Sequence, residues 1–553
     1  MSPAAAQHVA SYDVLLDGQS IAQAHRDRIK ELRVVDDLRL PDVCTVTLVY
    51  PRGEGVDELP FRIGSDLEVQ LGARRSLEPA TLFKGRVVTL EPDFGAGGCS
   101  VTVRAFDRSH ALHQTRRVRT FQNQTSSDIV QSIAQDAGLT AQVEPSGEPH
   151  DFVQQDNETD WDFIWRLAER IGFEFVVDDL VARFGRPPET QPIALQWPDT
   201  LRAFRPRVSA VQQVQEVSLR AHDPKTKQVI ESRAQTPSAN GTIGLGWGEV
   251  VSAFQDGEFH IATEPVKSSA EGDALTQAVM DRLAHAYVSA VGVTAGDPRI
   301  RTGATLAVTG VGERFGGTYH VARSTHVLRG GGAYETQFTN VAAQTMSAAL
   351  GSGGDPSPRF GAQLVLGLVT NNDDPDRMGR VRVNYPALGE DVEGAWARVV
   401  TPHAGSRRGL LMLPQVGDEV LLGFEHDDTT RPYVLGSLFN GRDGPEELVH
   451  DSDGSFCLHS GAAIVVESDD VASLKTAKDL TIEAGGPLKL TADDAADVNV
   501  TRALSAGASE VTVKAQTSLT LEATTTLTLK CAGAEIELSP AGARISAPTI
   551  TLG

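Results

Sequence analysis

A mainly β, multi-domain protein, ending in a β-helix wound from three identical chains, is the fold class this sequence predicts. Three observations predict it. Gly (52) and Pro (28) are plentiful and aromatics make up only 6% of residues, a composition suited to turn-rich β structure. The stretch from Gln363 to Asn440 holds only short alternating strands and turns. From Asp479 onward, apolar residues recur in pairs at steps of eight or nine residues.

The chain has 553 residues, more than the roughly 250–300 at which a single core stops growing. Its clearest composition break is Gly351-Ser-Gly-Gly-Asp-Pro-Ser-Pro358, a linker by its glycine and proline content. A second break, Asn440-Gly-Arg-Asp-Gly-Pro445, closes the block that follows. The breaks predict an N-terminal region over 1–350, a linker over 351–361, a barrel over 362–441 and a tail over 442–553.

In the N-terminal region, Val43–Tyr50, Leu67–Leu71, Phe83–Leu90 and Ser100–Phe106 carry the β-branched residues and alternation of strands. Two helices interrupt them. The first is capped by Ser126 or Ser127, turns Ile129, Val130, Ile133 and Ala137 inward and stops at Gly138. The second is capped by Thr159 or Asp160, buries Trp161, Ile164, Trp165, Ala168 and Ile171, and stops at Gly172. A third helix is predicted over Ser269–Ser289. Strands return at Thr305–Thr309, Gly317–Ser324 and Tyr334–Asn340.

The middle block alternates strictly at Arg380-Val-Arg-Val-Asn-Tyr385, with Val381, Val383 and Tyr385 on one face. Trp396–Val400, Glu419–Phe424 and Tyr433–Phe439 add strands, and Pro414-Gln-Val-Gly417 a turn. Four or five short strands in so few residues predict a small closed barrel of the OB type, which also removes exposed sheet edges.

The tail repeats Leu480/Ile482, Leu488/Leu490, Val498/Val500, Val511/Val513, Leu519/Leu521, Leu527/Leu529 and Ile536/Leu538, with Ile545 and Ile550/Leu552 after them. From Val511 to Leu529 the step is a clean octad, and later steps slip to nine. Each repeat is one short strand with two inward side chains, too narrow to bury a core alone. A single-chain solenoid needs about 20 or more residues per turn, so other copies must supply the rest of each layer. Three chains in register would stack Val511, Val513, Leu519, Leu521, Leu527, Leu529, Ile536 and Leu538 along a common axis. A disordered tail would not require apolar pairs at near-regular intervals.

The formal charge of −23 argues against nucleic acid as a partner, since phosphate neutralisation needs an excess of Lys and Arg. The four cysteines, Cys44, Cys99, Cys457 and Cys531, form no C-x-x-C pair and suit a reducing cytoplasm. The start, Met1-Ser-Pro-Ala-Ala-Ala-Gln-His8, lacks the pattern of a secretory leader, and no run of about 18 apolar residues predicts stable membrane insertion.

The middle block also carries a resemblance. Gly379-Arg-Val-Arg-Val-Asn-Tyr-Pro386, Glu393-Gly-Ala-Trp-Ala-Arg-Val399, Leu413-Pro-Gln-Val-Gly-Asp-Glu-Val420, Gly423-Phe-Glu-His426 and Arg431-Pro-Tyr-Val-Leu-Gly436 resemble the OB domain of VgrG-type spikes and phage baseplate needles. Asn157–Gly172 and Arg119-Thr-Phe-Gln-Asn-Gln124 are similar to segments of that family's hub. The resemblance implies a hub of tube-like β-barrels with inserted helices, an OB collar and an intertwined triple-stranded β-helix. It implies a homotrimeric central spike of a contractile injection system, with inner-tube and baseplate proteins at the hub. A PAAR-type tip protein would sit on Ile550, Thr551, Leu552 and Gly553, because end strands of a β-helix need a cap. Assembly in the cytoplasm, with release of the particle as a further fate, follows from the same resemblance.

Two departures from the family bear on function. Only Gly441 to about Ser455 separates barrel from tail, too little for the lysozyme domain some needles insert there. The last histidine is His459, so residues 460–553 cannot build the histidine-bound metal tip of other needles. No catalytic, cofactor or metal residues are expected. Glu425-His-Asp-Asp428 reads as a solvated turn, and His403 as structural. His110 and His113 lack further zinc ligands, and Trp161 and Trp165 read as packing. Arg116, Arg117 and Arg119 either form a solvated loop or meet an acidic neighbour. No G-x-S-x-G, H-E-x-x-H or P-loop is present. The competing expectations are a trimeric phage-tail-like fibre, which should carry a globular head, and an envelope-degrading β-helical enzyme, which needs clustered carboxylates.

Overall fold

A computed structural model describes residues 11–51, 55–72, 80–96, 98–188, 190–223, 228–238, 243–253, 257–261, 266–330, 332–342, 364–386, 393–445 and 456–551. The predicted linker, 351–361, lies outside the described residues, as do Leu552, Gly553 and the part of Gly441–Ser455 from 446 onward. The chain separates into two units, one ending at Ser455 and one running from Phe456 to Gly553.

The first unit is organised by one antiparallel sheet of eleven strands. Its spatial order is Leu201–Val208, Val288–Ala295, Ala333–Thr339, Arg323–Arg329, Ile29–Asp37, Val43–Tyr50, Gly98–Phe106, Ala80–Gly95, Asp66–Gly72, Ser11–Leu16 and Gln19–Ser20. Alternation drives it: in Val43–Tyr50 every second residue (Cys44, Val46, Leu48, Tyr50) is buried. The join between its halves is a long-range pairing, His326 opposite Val34 and Leu328 opposite Leu32. Separate cores serve the halves, one around Val46, Val69 and Val103 and another around Leu201, Ile300 and Phe338. Within the second half, Gly292 leaves room for the Phe338 ring of the adjacent strand, because a Cβ there would run into it.

A helical insertion gathers a third core around Trp161, Phe163, Ile164 and Phe175. Its second helix, Asp160–Ile171, starts where Thr159 accepts from the Asp162 N–H and ends at Gly172, whose φ of 69° is left-handed, as predicted. The first helix, Ser126–Asp136, is capped one residue earlier than predicted. Thr125 forms a capping box with Asp128, and Ser126 and Ser127 are instead buried. The third helix ends at His285, four residues before the predicted Ser289, because Val288 turns inward as the first residue of a strand. The segment predicted as one strand over Gly317–Ser324 is two, Gly317–His320 and Arg323–Arg329, which belong to different sheets.

The middle block closes as a five-stranded barrel, Val365–Asn371, Arg380–Asn384, Ala397–Val399, Pro432–Ser437 and Glu419–Phe424 in spatial order. Val369, Val381, Val383, Tyr385, Val420, Leu422 and Val434 fill it. Among the described residues it is the one closed barrel; the tube-like part is represented by the eleven-stranded sheet.

In the second unit, residues 456–526 form no ladder within the chain. Beyond them, Leu527–Cys531, Ala534–Ser539 and Gly542–Ser546 make an antiparallel meander.

Candidate functional site

In the barrel, one carboxylate ties together the turn that leads into Arg380–Asn384. Asp374, at 9% exposure, accepts from the backbone N–H groups of Asp376 (3.0 Å), Met378 (2.7 Å) and Arg380 (3.2 Å). It also accepts from the Arg380 guanidinium at 2.7 Å. Burial pushes the Asp374 carboxyl up, but the Arg380 side chain and these N–H groups outweigh it and hold it at about 2. Trp396 lies under two guanidinium groups, Arg380 at 5.7 Å and Arg382 at 5.4 Å from the ring centroid. Arg382 in turn pairs with Glu393 at 2.7 Å.

Several of the residues weighed for chemistry make contacts within the fold. Glu425 accepts from the Tyr433 hydroxyl at 3.0 Å and pairs with Arg431 at 3.6 Å. His426 and Asp427 are exposed on the same turn, and His403 is exposed on a hairpin. Arg431 donates to the Val266 carbonyl at 3.0 Å, tying the barrel to the N-terminal region. His113 stacks on Trp161 at 4.5 Å, and burial, with His110 nearby, pushes its pKa down to about 3. His110 stacks on Phe106 at 4.6 Å. The run Arg116–Arg119 is strand, and its charge is used internally: Arg117 pairs with Asp160 at 3.3 Å and Arg119 bonds the same carboxylate. Trp161 and Trp165 are buried, with the Trp161 Nε1–H donating to the Arg39 carbonyl at 3.0 Å. Among the described residues no group of three or more His, Cys, Asp or Glu could hold a metal ion. No helix among them is long and apolar enough to cross a membrane.

The second unit presents the opposite situation, side chains with apolar chemistry and nothing over them. Val511 (64%), Val513 (66%), Leu519 (57%), Leu521 (59%), Leu529 (52%), Ile536 (41%) and Leu538 (45%) are exposed, and Leu527 is half-buried. In the meander, Leu529 lies opposite Ile536 and Ile536 opposite Ile545, with Leu527 opposite Leu538. Residues directly opposite share a face, so these five form one continuous apolar face. Ile550 is also exposed and Thr551 lies beside it.

Sequence reasoning missed two features of the barrel. One is the Asp374 knot. The other is an outward apolar face carried by Leu364, Leu366, Leu368 and Leu435, all exposed. Its signal is Leu364-Val-Leu-Gly-Leu-Val369, where apolar residues occupy both phases of the alternation.

Known proteins match along most of this architecture. Residues 365–439 match the type VI secretion system/phage-baseplate injector OB domain, and 55–329 match the Alg8 N-terminal domain. The type VI secretion system spike protein VgrG1c of Pseudomonas aeruginosa is 25% identical over 419 residues, covering 68% of this chain and 54% of the relative. VgrG1a of the same organism is 25% identical over 414 residues, covering 68% of this chain and 61% of the relative. The chain thus spans only part of the length of the curated relatives it matches. An E. coli type VI secretion system component aligns with it at 15% identity and a TM-score of 0.46, covering 78% of this chain and 100% of that one. The chain thus carries an injector OB domain over 365–439 and is VgrG-like, similar to type VI spike proteins over 68% of its length.

Proposed function

We propose that this protein is the homotrimeric central spike of a contractile injection system. Residues 1–350 would be the hub that seats the inner tube and baseplate, 362–441 the collar, and 442–553 the needle that pierces the target envelope. The observation that carries the reading is the unburied apolar series of the tail. Burying a Val or Leu side chain is worth about 1.5–3 kcal/mol, so a chain exposing Val511, Val513, Leu519, Leu521 and Leu529 gains most by covering them with its own copies. Their octad spacing supports three chains stacked in register. The work done is then mechanical: the needle resists buckling and concentrates force, with no catalytic step. A PAAR-type protein on Ile550–Gly553 would cover the last layer, and assembly would take place in the cytoplasm.

Mass in solution tests it. Sedimentation or mass photometry should give a species of three times the 59.0 kDa chain. Replacing Leu519 and Leu521 by Asp should lower the trimer fraction. A stable monomer of the full chain refutes the trimer. Peptidoglycan hydrolysis by the purified chain refutes the purely mechanical role.

A further inference from the structure

We infer that the C-terminal meander, residues 527–546, sets the register of the needle. It folds within each chain, joins two further copies through its apolar face, and so fixes which repeat of one chain meets which repeat of the next. The inference rests on the trimer proposed above and assigns its alignment to one segment.

The octads cannot set register by themselves. Val511/Val513, Leu519/Leu521 and Leu527/Leu529 present the same two aliphatic positions at the same spacing. Chains displaced by one whole repeat therefore still stack apolar layer on apolar layer, and nothing in the pattern opposes the slip. The outward residues that do differ between repeats, Lys514, Glu522 and Lys530, are exposed, and solvated charges discriminate weakly. The longer spacer from Val500 to Val511 breaks the period, but residues 456–526 form no ladder within the chain. That stretch has no paired structure of its own to align before copies meet.

The meander differs on both counts. Its ladders join neighbours in sequence: Cys531 pairs with Ala534 across Ala532-Gly533, and Ser539 with Gly542 across Pro540-Ala541. Ala532 (φ 28°) and Gly533 (φ 96°) are both left-handed, the conformation a two-residue hairpin turn demands. Such local pairings form fast and need no partner chain. Each turn also occurs once, so the meander has no repeat to slip by.

Its burial is inverted. Along Ala534–Ser539 the polar residues Glu535, Glu537 and Ser539 are partly covered, while Ile536 and Leu538 are exposed. Charges on the polar side are satisfied within the chain: Lys530 pairs with Glu535 at 3.1 Å, and Glu537 stands opposite Arg544. Only the apolar side is left to be covered. That side continues the octad series, since Leu527 and Leu529 belong to both, so whatever covers the octads covers the meander too. This continuity selects two further copies as the occupant. A lone three-stranded meander is marginal in water, and three of them gain stability together by closing over one apolar centre.

Spin-label distances on the full chain test it. The exposed Cys457 and Cys531 are replaced by Ser, and Thr520, exposed between Leu519 and Leu521, by Cys for labelling. Chains in register give a single label-to-label distance by three-fold symmetry. A slipped chain adds longer ones, from axial offsets in multiples of the strand spacing of about 4.8 Å. No atom lies within 4 Å of a Cβ built at Gly533 or Gly542, so Gly533→Val with Gly542→Val strains the turns without a clash. This variant should remain a trimer by mass and turn the single distance into a set. Val511→Ala with Val513→Ala, which trims an octad, should keep the single distance. A single distance in the turn variant overturns the inference and gives register to the N-terminal unit. Scatter as wide in the octad variant overturns it as well. If the turn variant is monomeric, order of assembly decides. As the parent re-forms from denaturant, pulsed hydrogen exchange should protect 527–546 before 511–521, and the reverse order overturns the inference. A monomeric parent refutes the trimer reading itself.

Discussion

Replacing Asp374 by Asn perturbs the barrel at a point where the cost can be worked out. Asn keeps the size of the side chain but removes the charge that Arg380 and three backbone N–H groups converge on. A carboxyl held at about 2 instead of the ordinary 3.8 stabilises the fold by roughly 2.4 kcal/mol, a factor of about 60. That contribution is fully present above pH 4, where both folded and unfolded carboxyls are ionised. It fades as the pH falls through about 2, where the folded carboxyl also becomes protonated. D374N should therefore unfold at lower urea than the parent at pH 7, and the difference should close near pH 2. Pulsed hydrogen exchange on peptides from 365–439 isolates the barrel's transition from those of the larger hub. An unchanged midpoint at pH 7, or a deficit just as large at pH 2, refutes the assignment of stability to this charge.

Three further outcomes follow from the N-terminal region. Gly292→Ala should destabilise the half of the sheet packed on Phe338 by about 1–3 kcal/mol, because its Cβ meets that ring; thermal unfolding reads it. Thr159→Ala removes the hydrogen bond to the Asp162 N–H and should cost about 1 kcal/mol, seen as faster amide exchange in Asp160–Ile171. Burial raises the Asp107 carboxyl to about 7 against its hydrogen bonds from Ser109 and the Asp42 N–H. The folded state then holds a proton that the unfolded state has released, so hub stability should decline as pH rises from about 4 through 7. D107N should flatten that decline, and parallel melts across this range check it.

Much of the fold was legible because local signals agreed with it. Strict alternation marked Arg380–Asn384, and Thr159 and Gly172 bracketed a helix whose apolar face does face a core. Cap identity at the first helix was one residue off, since Thr125, Ser126 and Ser127 all carry hydroxyls and only packing decides which two are buried. The end of the third helix was misplaced because Ala286-Tyr-Val-Ser289 suits either state until Val288 finds its strand partners. The eleven-stranded sheet was not legible at all: nothing local says that Arg323–Arg329 joins Ile29–Asp37. In the tail the apolar spacing was plain. The turns at Ala532-Gly533 and Pro540–Gly542, which fold its last part into a meander, fall within the two nine-residue steps and were not read from the spacing.

That long-range pairing has a consequence during synthesis. Ile29–Asp37 can pair with Val43–Tyr50 as soon as both leave the ribosome, yet its other side waits for a strand encoded about 290 residues later. At typical elongation rates of about 5–20 residues per second, the wait lasts roughly 15–60 s. Throughout it, the nascent chain offers an unsatisfied row of N–H and C=O groups. On a polysome making several copies side by side, the equivalent strand of a neighbour is within reach first, so timely completion of each chain guards against strand exchange between copies.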